Sequence, residues 1–153
     1  MKQTIKILMV FAVLLVFAFQ ALAGIGIDSV TVIPSQPSDI DLITFNIAGG
    51  ASYSPSWVTY DLFSQNGTSL QLDLYVNYGF FTSPSTWDYS KQIQPLVPAT
   101  YSLEVRAFDN QVGSPFYGTL RDTYNIDFTV TPEPATICLL GLGVLLVRKR
   151  LVR

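Results

Sequence analysis

The sequence predicts an all-β architecture: a seven-stranded Greek-key β-sandwich, flanked by an N-terminal signal-peptide helix and a short C-terminal apolar helix. Three observations carry this expectation. Apolar and polar residues alternate at period two almost throughout the middle of the chain, which places one side of a strand in a core and the other in water. Glycine, proline, asparagine and aspartate gather between the alternating runs, where chain reversals need them. Both ends break the pattern with unbroken apolar runs beside basic residues. The chain divides accordingly into a signal peptide (1–23), a sandwich (24–130) and a tail (131–153).

The first strand runs from Gly24 to Ile33. Its apolar positions, Ile25 and Ile27, then Val30 and Val32, slip by one near Asp28-Ser29, which predicts a bulge. Pro34 ends it and Ser35 to Asp39 is a loop. The second strand, Asp41 to Ala48, puts Ile43, Phe45 and Ile47 on one face, and Gly49-Gly50 closes it. The third, Trp57 to Phe63, puts Val58, Tyr60 and Leu62 on one face. The fourth, Ser69 to Asn77, alternates Leu70, Leu72, Leu74 and Val76 with Gln71, Asp73 and Tyr75. Between these two lies Gln65-Asn66-Gly67-Thr68. Asn-Gly is a strong hairpin signal because both residues tolerate positive φ. Asn66-Gly67-Thr68 also matches a glycosylation sequon, and the turn reading is preferred.

Tyr78 to Ser85 reads as an aromatic-rich loop. The fifth strand, Thr86 to Ile93, puts Trp87, Tyr89 and Ile93 on one face. The sixth, Thr100 to Phe108, alternates Tyr101, Leu103, Val105 and Ala107 with Ser102, Glu104 and Arg106. Asp109 to Gly118 is a loop. The seventh, Thr123 to Val130, puts Tyr124, Ile126, Phe128 and Val130 on one face. Seven short strands in about this length suit a two-sheet sandwich. Leu96-Val97-Pro98-Ala99-Thr100-Tyr101 sits where such sandwiches place a tyrosine corner. The segment PLVPATYSLEVRA resembles the corresponding piece of fibronectin type III and related immunoglobulin-like domains, which implies an immunoglobulin-like sandwich. The cysteine pair of antibody-type domains is absent between 24 and 130.

The tail reads TPEPATICLLGLGVLLVRKRLVR. Pro132 and Pro134 fix two φ angles and remove two backbone donors, so the chain there is extended. An uncharged apolar run follows, from Ile137 to Val147, and then the basic residues Arg148, Lys149, Arg150 and Arg153, which act as a membrane stop because they resist translocation. At about 1.5 Å per residue the run gives roughly 20 Å of helix against a hydrocarbon core of roughly 30 Å. Snorkelling arginines and local thinning narrow that gap. Cys138 within the run reads as a small apolar residue.

On the ordered triple of Pro132-Glu133-Pro134 with Ala135 and Thr136, the Leu/Gly-rich run and the arginine cluster, the tail resembles a PEP-CTERM sorting signal. That resemblance implies export, a transient membrane anchor, processing near Pro132, Glu133 and Pro134 by an exosortase, and delivery to the cell surface or an extracellular matrix of a bacterium. The alternatives are a buried core helix or an anchor that is never cut. The N-terminus agrees with the sorting reading. Lys2 and Lys6 precede the apolar Ile7 to Phe19, and Ala21-Leu22-Ala23 is a signal-peptidase site, so the mature protein is expected to begin at Gly24. An uncleaved signal anchor is the other reading of this end. The expected topology keeps both termini cytoplasmic before processing and the middle outside, with signal peptidase, exosortase and the membrane as partners during export.

Between these ends the charge changes character. Lys2, Lys6, Arg148, Lys149, Arg150 and Arg153 lie in the terminal segments, which leaves Lys91, Arg106 and Arg121 against ten acids between Asp28 and Asp127. The net charge there is 3 − 10, or −7, where the whole chain has −2. So acidic a domain is a poor partner for nucleic acid. Without histidine or cysteine between 24 and 130, it can hold neither a disulfide nor a usual zinc site. A serine or cysteine hydrolase of the usual kind would lack its base. No catalytic residue, no metal and no cofactor is expected. The acids Asp61, Asp73, Asp88, Glu104 and Asp127 fall on outward strand positions and read as solvated charges. Asp39, Asp41, Asp109 and Asn110 at loop ends read as turn chemistry rather than a calcium ladder.

Carbohydrate is one class of ligand to weigh, against a protein-contact or purely structural role. Sugar rings stack on exposed aromatics, and Trp57, Tyr78, Phe80, Phe81, Phe116 and Tyr117 are the candidate glycan contacts. Tyr53, Phe63 and Tyr75 are further outward or loop aromatics. The main expectation is a non-enzymatic surface or matrix protein; the second is a binding module for a matrix polysaccharide. The placement of these aromatics discriminates the two, since a single exposed strip favours binding and burial favours structure.

Overall fold

The alternating stretches become seven strands: β1 (Ile25–Ile33), β2 (Ile43–Ala51), β3 (Ser54–Asn66), β4 (Ser69–Phe81), β5 (Ser85–Ile93), β6 (Ala99–Asp109) and β7 (Leu120–Val130). The computed structural model describes residues 24–133 and Cys138. The signal peptide with Ala21 and Ala23, the apolar run around Cys138, Pro134 and the basic residues Arg148, Lys149, Arg150 and Arg153 lie outside the described residues, as do both expected flanking helices. Among the described residues no helix is long and apolar enough to cross a membrane.

The strands form two sheets, ordered β1-β2-β5 and β3-β4-β6-β7. Their inner faces meet in one apolar core, centred on Ile43, Phe45 and Ile47 of β2, Leu70, Leu72, Leu74 and Val76 of β4, and Tyr101, Leu103 and Val105 of β6. These are the positions that alternation selects. The bulge in β1 is also where the slipped pattern requires it, between Ile27 and Ser29. At the β5–β6 corner the Tyr101 hydroxyl donates to the Val97 carbonyl at 3.0 Å, and Leu96 is buried beside it.

Four details differ from expectation. β2 does not close at Gly49-Gly50 but runs on to Ala51. A side chain at position 49 would collide with the Trp87 indole and the Gly26 carbonyl, so glycine there is a packing requirement rather than a stop. In β3 the register slips between Val58 and Tyr60. Because side chains alternate, that one-residue slip turns Tyr60 and Leu62 outward and brings Asp61 and Phe63 inward. β4 extends through Tyr78 to Phe81 by pairing with the start of β3, Ser54 opposite Phe81, so these residues are strand rather than loop. In the β3–β4 hairpin, Asn66 is the last strand residue, opposite Ser69. The two-residue turn is therefore Gly67-Thr68, with only Gly67 at positive φ (59°), as a type II′ turn requires.

β4 pairs with β6 in parallel, from Ser69 opposite Ser102 to Val76 opposite Asp109. Every other pairing between these seven strands is antiparallel, and immunoglobulin-like sheets are antiparallel throughout. The reason lies in the two arms of the hairpin. β4 has an unbroken buried face and outward Asp73 and Tyr75 that meet Arg106 and Phe108. The bulged β3, with exposed Tyr60 and Leu62, takes the sheet edge.

The register places the chain's connections at two ends. The β1–β2 connection, the Gly67-Thr68 turn, the β5–β6 corner and the end of β7 lie together, as Thr44 opposite Ile33, Ala99 opposite Val130 and the Ser102 amide on the Thr68 carbonyl require. Gly24, Ala51 to Ser54, Phe81 to Ser85 and the β6–β7 connection lie at the other end. Ten residue steps along β6 separate the two, roughly 33 Å at strand rise.

Candidate functional site

At the end away from the tail, the sheet extension of β4 and the β6–β7 connection enclose a groove of about 280 Å³. Tyr53 and Tyr78 stack on one wall, with ring centroids 5.6 Å apart and planes 20° from parallel. Phe80 and Phe116 also line it, with Gln111, Val112 and Ser114. Phe80 is 86% exposed. Arg121 lies over the Phe116 ring, 4.4 Å from its centroid.

A buried carboxylate builds the groove's polar wall. Asp109 is only 1% exposed and accepts hydrogen bonds from the Tyr78 hydroxyl, the Ser114 hydroxyl and the Gln111 amide, each at 2.9 Å. This turn chemistry fixes the connection against β4. Burial raises the Tyr78 hydroxyl above the ordinary phenol value. Asp109 adds to that, while Ser114 and Arg121 oppose it, so Tyr78 remains a donor at neutral pH.

Of the six candidate glycan contacts, Tyr78, Phe80 and Phe116 therefore share one groove. Trp57, Phe81 and Tyr117 are exposed but do not line it. Trp57 faces out from the large sheet, 44% exposed. That outer face carries a row of Tyr60, Tyr75 and Phe108, of which the alternation singles out only Tyr75 as an outward aromatic. Tyr60 and Tyr75 stack at 4.2 Å, Tyr75 and Phe108 at 5.2 Å, and Arg106 lies over Phe108. Their faces cover one another, so the row is a self-stacked ladder rather than an open platform.

Two of the acids expected to be solvated are not. Asp73 is buried and takes a two-pronged bond from Arg106 at 2.8 and 2.7 Å; the Asp73 bond is the main cause that lifts the guanidinium above its ordinary pKa. Asp61, turned inward by the β3 bulge, accepts from Lys91 at 2.6 Å and from the Tyr89 hydroxyl. Burial works to raise the Asp61 carboxyl, but these bonds and the Lys91 charge outweigh it and hold it below the carboxylate range. Tyr89 is pushed up to about 12, by burial first and then by Asp61. Among the described residues, every buried polar side-chain atom has a partner, and no three acids, cysteines or histidines converge as metal ligands would.

At the opposite end the chain leaves the sandwich. Val130 is in the core, 2% exposed. Thr131 forms a parallel bridge with Ser38: its amide donates to the Pro37 carbonyl at 2.9 Å and its carbonyl accepts the Asp39 amide at 3.1 Å. The Glu133 amide then donates to the Asp39 carboxylate at 3.0 Å. Pro132 is exposed and Glu133 half-buried.

Residues 130–151 match the family model described as the PEP-CTERM protein-sorting motif. The chain carries a PEP-CTERM protein-sorting signal. Such a signal implies an exported protein with a membrane-anchored precursor that an exosortase processes. No curated protein and no solved structure matches the chain. The PEP-CTERM match starts at Val130, so its first four residues are also part of the folded domain. Asp39, which holds the last of these four, Glu133, reads in the sequence only as a turn former, because its partner lies 94 positions away. Tyr53 stood among the outward aromatics. Its stacking on Tyr78 depends on the unforeseen extension of β4.

Proposed function

We propose that the protein is a non-enzymatic bacterial surface or extracellular-matrix component, released by signal peptidase after Ala23 and processed by exosortase at its PEP-CTERM signal. The observation that carries this is the sorting-motif match over residues 130–151. The apolar run from Ile137 to Val147 serves as a transient inner-membrane anchor, and the arginine cluster stops it on the cytoplasmic side. The non-enzymatic reading is supported by the lack of histidine and by Asp61, Asp73 and Asp109 being held in internal ion pairs and hydrogen bonds. The domain reads as a variant of the immunoglobulin-like sandwich. Its tyrosine corner and its β1-β2-β5 sheet support that, and the parallel β4–β6 pair is the variation.

Replacing Pro132, Glu133 and Pro134 together by alanine tests the sorting role. Uncut precursor is expected to accumulate in the membrane fraction of the producing strain. An unchanged distribution between membrane, surface and medium would refute it.

The clustering of Tyr78, Phe80 and Phe116 with Tyr53 favours a second reading, a groove that takes a polysaccharide at the end turned away from the anchor. Retention of the processed protein on immobilised matrix polysaccharide, lost in Phe80→Ala but kept in Trp57→Ala, is the outcome that reading expects. Equal behaviour of the two variants would remove it.

A further inference from the structure

Residues 131–133 answer to two demands, since the sorting motif is to be read by an enzyme and the same backbone completes the sandwich. Thr131 has both its amide and its carbonyl bonded to the β1–β2 connection. Pro132 has no amide hydrogen, and the Glu133 amide is bonded to Asp39. Every backbone donor from 131 to 133 is thus occupied. Upstream there is no slack, because Val130 is in the core and paired with Ala99.

The holder itself is stiff. Pro37 is fully buried. The Asp41 carboxylate accepts from the Ser38 amide at 2.7 Å and from the Ser38 hydroxyl at 2.8 Å, and the Asp41 amide returns a bond to the Ser38 carbonyl at 3.2 Å. The hydrogen bonds from Ser38 hold the Asp41 carboxyl below its ordinary pKa. This closes a local turn whose Asp39 points its own carboxylate at the motif. Enzymes and receptors that take an extended peptide do so largely through its backbone amides and carbonyls. Between 131 and 133 this strand has no free amide to offer, and its Thr131 carbonyl is taken as well.

We propose that the β1–β2 connection is an autoinhibitory clasp on the sorting signal, with Asp39 as its latch, and that the processing enzyme acts on the population in which Thr131–Glu133 has peeled away. The inference rests on the processing role proposed above. It makes the folded domain a participant in its own sorting: the rate of conversion is set by opening of the clasp as well as by the motif.

The test is a pulse-chase of the full chain in the producing strain, comparing wild type, Asp39→Ala and Asp39→Asn. Asparagine keeps an acceptor oxygen at the same place. Precursor conversion in Asp39→Ala is expected to quicken about five-fold, the order expected for one hydrogen bond, while Asp39→Asn stays near wild type. Hydrogen exchange at the Glu133 amide of the full chain in detergent is expected to quicken likewise in Asp39→Ala alone, with exchange in β4 and β6 unchanged. Unchanged or slower conversion of Asp39→Ala overturns the clasp and leaves the sorting role intact. Faster exchange throughout β4 and β6 also overturns it, since the variant would then act by unfolding. A wild-type chain never converted, with exosortase present, overturns the sorting role and the clasp together.

Discussion

The two ends of the sandwich are finished in different ways. At the tail end, a buried tyrosine hydroxyl holds the β5–β6 corner and backbone bonds tie the β1–β2 connection to the outgoing chain. At the other end, a buried aspartate holds a long connection in place, but the surface it supports is aromatic and open. At the tail end the closing groups are bonded within the chain, while Ile40, Leu42 and Val97 stand exposed beside them. At the other end the exposed Phe80 and Val112 line a groove. That contrast supports the proposed reading, in which the tail end meets the membrane anchor and the groove end takes a ligand.

The largest effect expected is at the closed end. Tyr101→Ala removes a fully buried ring and should destabilise the exported domain by about 3–5 kcal/mol, read by denaturant unfolding. A loss below about 1 kcal/mol would mean that the corner does not close that end. Gly49→Ala comes next. Its methyl meets the Trp87 indole and a carbonyl, and about 2 kcal/mol of overpacking is expected, again by denaturant midpoint. Tyr101→Phe sharpens the comparison by removing the hydroxyl alone; about 1 kcal/mol should be lost, because the Val97 carbonyl is then left to water.

Smaller again is the pH response of the Asp61–Lys91–Tyr89 cluster, midway between the ends. The Asp61 pKa is lowered by folding, so its contribution is present above the unfolded carboxylate value of about 4 and fades as pH falls through the folded value. The Tyr89 pKa is raised to about 12, so its contribution is full below about pH 10 and is lost between there and pH 12. Partial exposure keeps the pair's worth under about 1 kcal/mol. Stability profiles of wild type and Asp61→Ala should differ most between about pH 4 and 10 and converge as pH falls below the folded Asp61 value or rises toward 12; parallel profiles would show that the cluster is not coupled to folding. The smallest effect belongs to the open end. Phe80→Ala should change stability by less than about 0.5 kcal/mol, and a larger loss would make the groove a structural element.

Much of this was legible in the residues, and the rest has identifiable causes. Strict alternation located the inner faces of β2, β4 and β6, because a strand buried on one side leaves no other choice of phase. In β3 two phases compete. Val58, Tyr60 and Leu62 form one apolar face, and the bulge that overrules it is secured by Lys91 and Tyr89, about 30 positions away. The end of β4 was hidden because exposed aromatics and a glycine, Tyr78-Gly79-Phe80-Phe81, have loop composition even when an edge strand pairs with them. The sorting motif was legible in full as an ordered string. The holding contact from Asp39 was not, since short polar residues near prolines fit a turn whatever else they touch.

The central claim is that the tail is an address removed by an enzyme. The most direct measurement is the intact mass of the exported protein from strains with and without exosortase. A species that begins at Gly24 and ends near Pro132-Glu133-Pro134, present only with the enzyme, is the predicted result. A species that retains Ile137 to Arg153 in both strains would contradict it and make the protein a permanently tethered domain.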